Sequence, residues 1–362
     1  MPDGVEILSL KPVVKCGAEQ YRALDGSLDE AQVVAHRSRQ LVAAAAAFRP
    51  DVLVVDHAPI GMKGELLQTL EHVRRARPKA RILLGLRDIL DEPEVVRALW
   101  QRQAIYAALE QYYDSILVYG NREHFALDEA YALPPPVVAK LSYSGYLAKH
   151  EPLLPAAAIR AQYGLAQPLL LATAGGGADG GPILRCTLEA IPLMRRDFPG
   201  LQALVVTGPL LDAAEREELA RAATRMERVH LTDFAPHMLS CLVAADVVVS
   251  MGGYNTVSEL LALRRQSVIV PRTTPRKEQL MRARILEERR LVRMLDPAEA
   301  TPTTLAARLT ECLLEGNPVP GSDTGSLAGT EHATAEILRL LPRRRKATLQ
   351  QWVLGHVGAH PR

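Results

Sequence analysis

Short apolar runs alternate with longer amphipathic stretches along nearly the whole of this chain, which restricts it to the α/β class with parallel sheets. In the first half the strand-like runs are 5–10, 51–56, 81–86 and 114–119, separated by helical stretches near 29–48, 62–77 and 93–111. The segment 148–155 carries two prolines and little periodicity, and suits an interdomain linker. A second series follows, with strands at 169–174, 203–207, 229–231, 246–250 and 267–270 and helices from Pro182, Leu211, Pro236, Thr256 and Lys277. A chain of 362 residues has room for two such units. The expected fold is two Rossmann-like, doubly wound domains in tandem, residues 1–150 and 151–342, with a basic tail at 343–362. Ligands of such folds sit at the carboxyl ends of the strands. A Gly-, Ser- and Pro-rich stretch, 316–329, reads as a loop before a last helix near 331–341.

The run from Val247 to Glu259 reads as a buried strand, a glycine turn and a helix start with a carboxylate in its first turn. Val247, Val248 and Val249 suit a strand covered on both faces, and Gly252 and Gly253 permit a sharp turn and close approach to a ligand. The helix that follows points free N–H groups and its positive dipole end into that gap, where a phosphate meets donors without a lysine. Glu259 is then placed to accept hydrogen bonds from two ribose hydroxyls. Thr256 and Glu259 also spell a capping box, in which both side chains merely close the helix start, so that reading stays open beside the first.

A second glycine cluster, 174–181, again lies at a strand end, with Pro182 suited to the first helical position. Gly175, Gly177 and Gly180 satisfy G-x-G-x-x-G, but no acidic residue closes the next strand, which counts against a nicotinamide cofactor. Neither loop continues into Gly-Lys-Ser/Thr, and no Asp-x-Asp is present to hold a metal–diphosphate complex. A nucleotide site needing no metal and no resident cofactor is expected.

Composition narrows the partners. The formal charge of +2, from 43 basic and 41 acidic residues, provides no global field for nucleic acid. Cys16, Cys186, Cys241 and Cys312 are scattered without a C-x-x-C pair, which argues against a zinc site or a disulfide framework. No apolar run approaches the roughly 20 residues of a membrane span, and the start lacks the pattern of a signal peptide. The expected location is the cytoplasm, with at most peripheral membrane contact through Arg343, Arg344, Arg345, Lys346 and Trp352; a solvated tail is the plainer reading.

The glycine loop at 174–181, Thr232 to Met238, Ala245 to Ser250, Pro271 and the pair Glu278-Gln279 occur together in one order. In this the second half resembles the C-terminal domain of GT-B nucleotide-sugar glycosyltransferases, in particular the lipid-linked N-acetylglucosaminyltransferase of peptidoglycan synthesis and related bacterial glycosyltransferases. The resemblance implies that Phe234, Ala235 and Met238 border a nucleobase, and that Gly252, Gly253, Asn255 and Thr256 face the diphosphate together with Gly175, Gly176 and Gly177. It places Glu259 on the ribose and Glu278 and Gln279 on sugar hydroxyls. Core packing for Phe234 and Met238, and a solvated helix start for Glu278 and Gln279, remain the alternatives. The related enzyme has a glutamine pair at 278–279 and an asparagine where Arg282 stands, departures that bear on sugar identity.

These enzymes also open with a strand and a Gly-rich loop bearing His, whereas this chain starts with a run resembling a later strand, so the first domain is expected to be incomplete. Within it, Asp56-His57 and Arg87-Asp88 follow buried strands on the cleft side. Sugar transfer with inversion needs a general base on the acceptor hydroxyl. His57 is the candidate, with Asp56 orienting it, against a structural hydrogen-bonding role for the imidazole. Arg87 and Asp88 either meet substrate or pair across the domains. The expected activity is metal-independent, inverting transfer from a nucleoside-diphosphate sugar, most readily UDP-linked, to an acceptor hydroxyl, lipid-linked or small. A UDP-sugar 2-epimerase of the same fold and a non-catalytic nucleotide-sugar-binding protein are the alternatives.

Overall fold

The computed structural model describes residues 4–15, 21–149, 151–316 and 328–342. Strands β1 (Val13–Lys15) and β2 (Tyr21–Ala23) form a small antiparallel hairpin. Strands β3 (Val52–Asp56), β4 (Arg81–Arg87), β5 (Ser115–Tyr119) and β6 (Leu141–Tyr143) make a parallel sheet in chain order. The described part of the expected strand at 5–10 is not one: residues 5–10 carry no regular structure, and Val5, Ile7 and Leu8 are exposed. An apolar run becomes a strand only where a neighbour supplies hydrogen bonds and cover. Strand β3 is instead a sheet edge, with Val54 43% exposed.

The helical stretch at 93–111 is two helices, Pro93–Arg102 and Ile105–Tyr112, broken where Ala104 adopts a left-handed conformation. The break lets Trp100 and Ile105 face one core, where Trp100 packs against Tyr106 and Tyr131. The stretch at 62–77 likewise begins as a 3-10 turn, Met62–Gly64, before the helix Leu67–Ala76.

Strands β7 (Leu169–Thr173), β8 (Gln202–Val206), β9 (Val229–Thr232), β10 (Val247–Ser250), β11 (Ser267–Ile269) and β12 (Arg293–Met294) form the second sheet. All its pairings are parallel and the order is β12-β11-β10-β7-β8-β9. This is the doubly wound order, and its switch point lies between the neighbours β7 and β10, where such folds bind ligands. Leu170, Ala172, Val247 and Val249 enter one core and Leu169, Leu171 and Val248 the other, so alternate residues fill both faces.

The last helix, Gly329–Leu340, returns to the first half: Ser115 Oγ donates to Glu336 Oε1 at 2.6 Å and Thr330 Oγ1 to the Ala148 carbonyl at 3.0 Å. Across the cleft, Lys277 N donates to Asp91 at 3.0 Å and Lys277 Nζ lies 2.9 Å from Glu92. Deeper in the cleft, Asp88 pairs with Arg282 at 2.7 Å, both side chains all but fully buried. Of Arg87, the last residue of β4, and Asp88 after it, both expected to face the cleft, Asp88 therefore takes the salt bridge between the halves, and Arg87 does not.

Candidate functional site

Strand β10 is buried at every position, and at Ser250 the chain leaves it through Met251, Gly252 and Gly253 into the helix Tyr254–Leu263. Gly253 is the N-cap and no side chain caps the helix, so the capping box of Thr256 and Glu259 does not form. The first N–H groups, which have no intrahelical partner, are left facing outward. Because the helix begins at Tyr254, Glu259 lies in its second turn and not, as expected, its first. Gly252 has another task than a left-handed turn: a Cβ there would meet the Gln279 carbonyl oxygen at 3.0 Å, so its bareness lets the turn pack on the helix Glu278–Glu288.

The loop after β7 meets this helix start from the neighbouring strand. Gly175 and Gly177 both have positive φ, as does Gly208 after β8. A Cβ on Gly177 would collide with the Thr207 carbonyl, and one on Gly208 would come within 2.5 Å of the Gly175 carbonyl. The two loops thus lie backbone against backbone, a contact only glycines allow. Gly177→Ala is expected to destabilise the protein by about 1–3 kcal/mol, since it combines a left-handed backbone with that collision. Urea denaturation of wild type and variant measures it, and equal midpoints would contradict it.

Between the loops opens a cavity of about 480 Å³. Gly175, Gly176, Gly177, Phe234, Ala235, Met238, Gly253, Asn255, Thr256, Glu259 and Gln279 all line it, so the sequence-predicted residues come together around one space. Phe234 stands on its rim, 62% exposed, and is not a core residue, while Met238 lines the cavity and also packs on the core behind. Ala235 is buried.

Two predicted residues are not on the wall. Gly252 is turned to the packing contact described above. Glu278 is held by Arg272, whose Nη2 lies 2.7 Å from its Oε1, while Arg272 Nη1 donates to Asp179 at 2.9 Å. It is Arg272 that lines the cavity, beside Gln279, whose Oε1 accepts from the Arg272 backbone N–H at 3.1 Å. The arginine engages one oxygen of this helix-start carboxylate, and the other, Oε2, is buried without a hydrogen-bond partner.

Glu259 is 7% exposed and accepts no hydrogen bond from any described residue. Burial raises its pKa above the ordinary value, Lys149 opposing and Glu151 adding to the shift. A buried carboxylate normally has partners, and this one faces a cavity. Lys149 and Glu151, from the segment expected to link the halves, also line the cavity. Arg87 reaches the same space from the first half, its guanidinium 5.6 Å from the centre of the Tyr254 ring.

His57 lies elsewhere, in a second cavity of about 550 Å³ lined mainly by Ile60, Leu90, Val96, Leu99 and Trp100, with Arg276 arriving from the second half. Its backbone is left-handed and its N–H donates to the Gly85 carbonyl at 2.7 Å. Nδ1 is buried without a hydrogen-bond partner, so the orienting bond expected from Asp56 is not formed. Asp56 is exposed and neighbours the Tyr119 hydroxyl instead. Burial, then the charges of Arg87 and Arg276, hold His57 below its ordinary pKa, which keeps the ring neutral at pH 7.

Among the described residues no group of three or more His, Cys, Asp or Glu side chains is placed to hold a metal ion, and no helix is long and apolar enough to cross a membrane. Cys186, Cys241 and Cys312 are free thiols, and Cys16 and the basic tail with Trp352 lie outside the described residues.

The profile of the glycosyltransferase family 28 C-terminal domain matches residues 175–331, the segment that carries both glycine loops. A UDP-N-acetylglucosamine--N-acetylmuramyl-(pentapeptide) pyrophosphoryl-undecaprenol N-acetylglucosamine transferase of Exiguobacterium is 33% identical over 32% of this chain and 30% of its own length. The enzyme of the same name from Symbiobacterium thermophilum is 26% identical over 69% of this chain and 67% of its own. The chain thus spans between about a third and two thirds of the length of these relatives. Among solved structures, the glycotransferase of kitacinnamycin superposes with TM-score 0.53 at 19% identity, over 85% of this chain and 80% of its own. A putative UDP-N-acetylglucosamine 2-epimerase from Listeria monocytogenes gives 0.55 at 12% identity, over 83% and 74%. Residues 175–331 therefore match the glycosyltransferase family 28 C-terminal domain, in a chain of GT-B fold.

Proposed function

We propose that the protein transfers a sugar from a nucleoside-diphosphate donor, UDP-linked, to an acceptor hydroxyl, with inversion and without a metal. The observation that carries this reading is Glu259, a buried carboxylate without a hydrogen-bond donor, facing a cavity beside an uncapped helix N-terminus. In this reading Glu259 accepts from the ribose hydroxyls, the helix start at Gly253, Asn255 and Thr256 and the loop 175–177 take the diphosphate, and Phe234, Ala235 and Met238 border the base. Gln279 meets the sugar, and Glu278 holds Arg272 through Oε1.

Departure of the diphosphate develops negative charge, and fixed N–H groups at a helix start stabilise it with little reorganisation. The relatives' names include UDP-N-acetylglucosamine, which favours a uridine donor. His57, neutral at pH 7, is suited to take the acceptor's proton, and its largely apolar cavity suits an acceptor with an apolar body. That second cavity favours transfer over 2-epimerisation, which needs no second substrate.

The test is to supply UDP-N-acetylglucosamine and other UDP-sugars, with and without a panel of apolar alcohols and phenols, and to follow UDP release and the anomeric configuration of the product. UDP release that depends on the acceptor, with inversion, is the expected result. Conversion of UDP-N-acetylglucosamine to its 2-epimer without any acceptor would contradict the proposal.

A further inference from the structure

We infer that Arg87, a residue of the first half, is the cation that binds the donor's diphosphate, so that the anion site of the second half is completed across the cleft. The inference rests on the donor-site reading above and adds to it a residue that the second half does not contain. Arg87 ends β4 and lines the cavity built on the switch point of the other sheet. Among the described residues its guanidinium has neither a hydrogen bond nor an ion pair, although the next residue, Asp88, is fully engaged by Arg282. Arginines this close to acidic groups normally pair, as Arg272 does twice in the same cavity.

What positions Arg87 is a ring. Its guanidinium lies over the ring of Tyr254, the first residue of the uncapped helix, and lines the same cavity as that helix start. The ring is fixed in turn, because its hydroxyl accepts from the Leu147 N–H at 2.9 Å and Arg282 lies 5.5 Å from its centre. The planar guanidinium is thereby held with its N–H groups uncommitted, the form in which arginine binds phosphate in a bidentate way. Two sources of positive potential then converge on one space, the uncapped helix start and Arg87, since the Gly175 and Gly177 N–H groups already donate to Thr173 Oγ1 and the Ala174 carbonyl. No carboxylate pairs with Arg87 to cancel the last of them.

The consequence is a division of labour that affinity can separate. Uridine needs only the second half, through Glu259 and the rim around Phe234, whereas the diphosphate needs both halves. The experiment is a calorimetric titration of uridine, UMP and UDP into wild type, Arg87→Gln and Arg87→Lys, with thermal melts to compare folding. Wild type is expected to bind UDP more tightly than uridine. Arg87→Gln is expected to lose about tenfold to a hundredfold in UDP affinity, the range for a hydrogen-bonded charge, with uridine affinity unchanged. Arg87→Lys should recover part of the loss, since a point charge replaces the fork.

If wild type prefers UDP but Arg87→Gln keeps the same UDP-to-uridine ratio, the role of Arg87 is overturned and the donor site stands. If folded wild type binds neither uridine nor UDP, the donor-site reading fails and this inference fails with it. Should Arg87→Gln not fold, the same comparison on Arg87→Lys decides, an unchanged ratio again overturning the role.

Discussion

Arg282→Met is expected to lower the stability of the protein by about 3–5 kcal/mol, because it strands the Asp88 carboxylate in a buried site without its countercharge. Both side chains are 3% exposed or less, and Arg282 Nη2 lies 2.7 Å from Asp88 Oδ1. The same guanidinium donates to the Gly252 carbonyl at 3.1 Å, so one side chain ties the turn after β10 to the loop after β4 in the other half. Asp88→Ala should have an effect of the same size, since it leaves Arg282 charged and buried. Replacing both residues by apolar ones of similar volume should recover most of the loss, because the unpaired charge and not the missing pair is what destabilises. Denaturant unfolding of the two single variants and the double variant measures this, with a coupling energy of several kcal/mol as the expected outcome. Single variants within about 1 kcal/mol of wild type would mean that the pair is solvated, as surface pairs are.

The second large effect belongs to Glu259, and it has opposite signs in the free and liganded protein. Hydrogen bonds to a charged group are worth about 1.5–3 kcal/mol each, so losing two from ribose should weaken uridine and UDP binding by about a hundredfold or more in Glu259→Ala. The free protein should be no less stable, and Glu259→Gln more stable, because the carboxylate is buried without a donor. Burial raises its folded-state pKa above the unfolded value. Its contribution to stability is therefore full below the unfolded pKa and lost as pH rises through the raised one. Ligand hydroxyls favour the ionised form, so uridine affinity should fall as pH drops through that raised value, with no such fall in Glu259→Gln. Calorimetry across mildly acidic pH together with thermal melts reads both signs. A destabilised Glu259→Gln that still binds uridine would make Glu259 a structural residue.

The two glycine loops were legible because strand, glycine turn and helix start are local patterns, and eleven of the cavity's lining residues were named from them and from the resemblance. Their convergence was not local: it depends on β7 and β10 being neighbours, a property of strand order. Glu278 and Gly252 lie off the cavity wall for the same reason. The resemblance placed Glu278 on the sugar and Gly252 at the diphosphate, whereas Arg272, seven residues before Gln279 in sequence, engages the Glu278 carboxylate, and Gly252 makes room for a helix backbone. Arg282 was visible only as a departure from the related enzymes, and its partner lies 194 residues away. In the first half the exposed run at 5–10 imitates a strand by composition alone, while the short β6 and β12 carry too few residues for any period to be seen.

The most direct test of the account is a calorimetric titration of the unmodified protein with UDP in the presence of a chelator. Saturable binding of one UDP per chain is expected, tighter than uridine and undiminished by removal of divalent metal. No UDP binding by a protein shown to be folded, or binding that appears only when a divalent metal is restored, would contradict it.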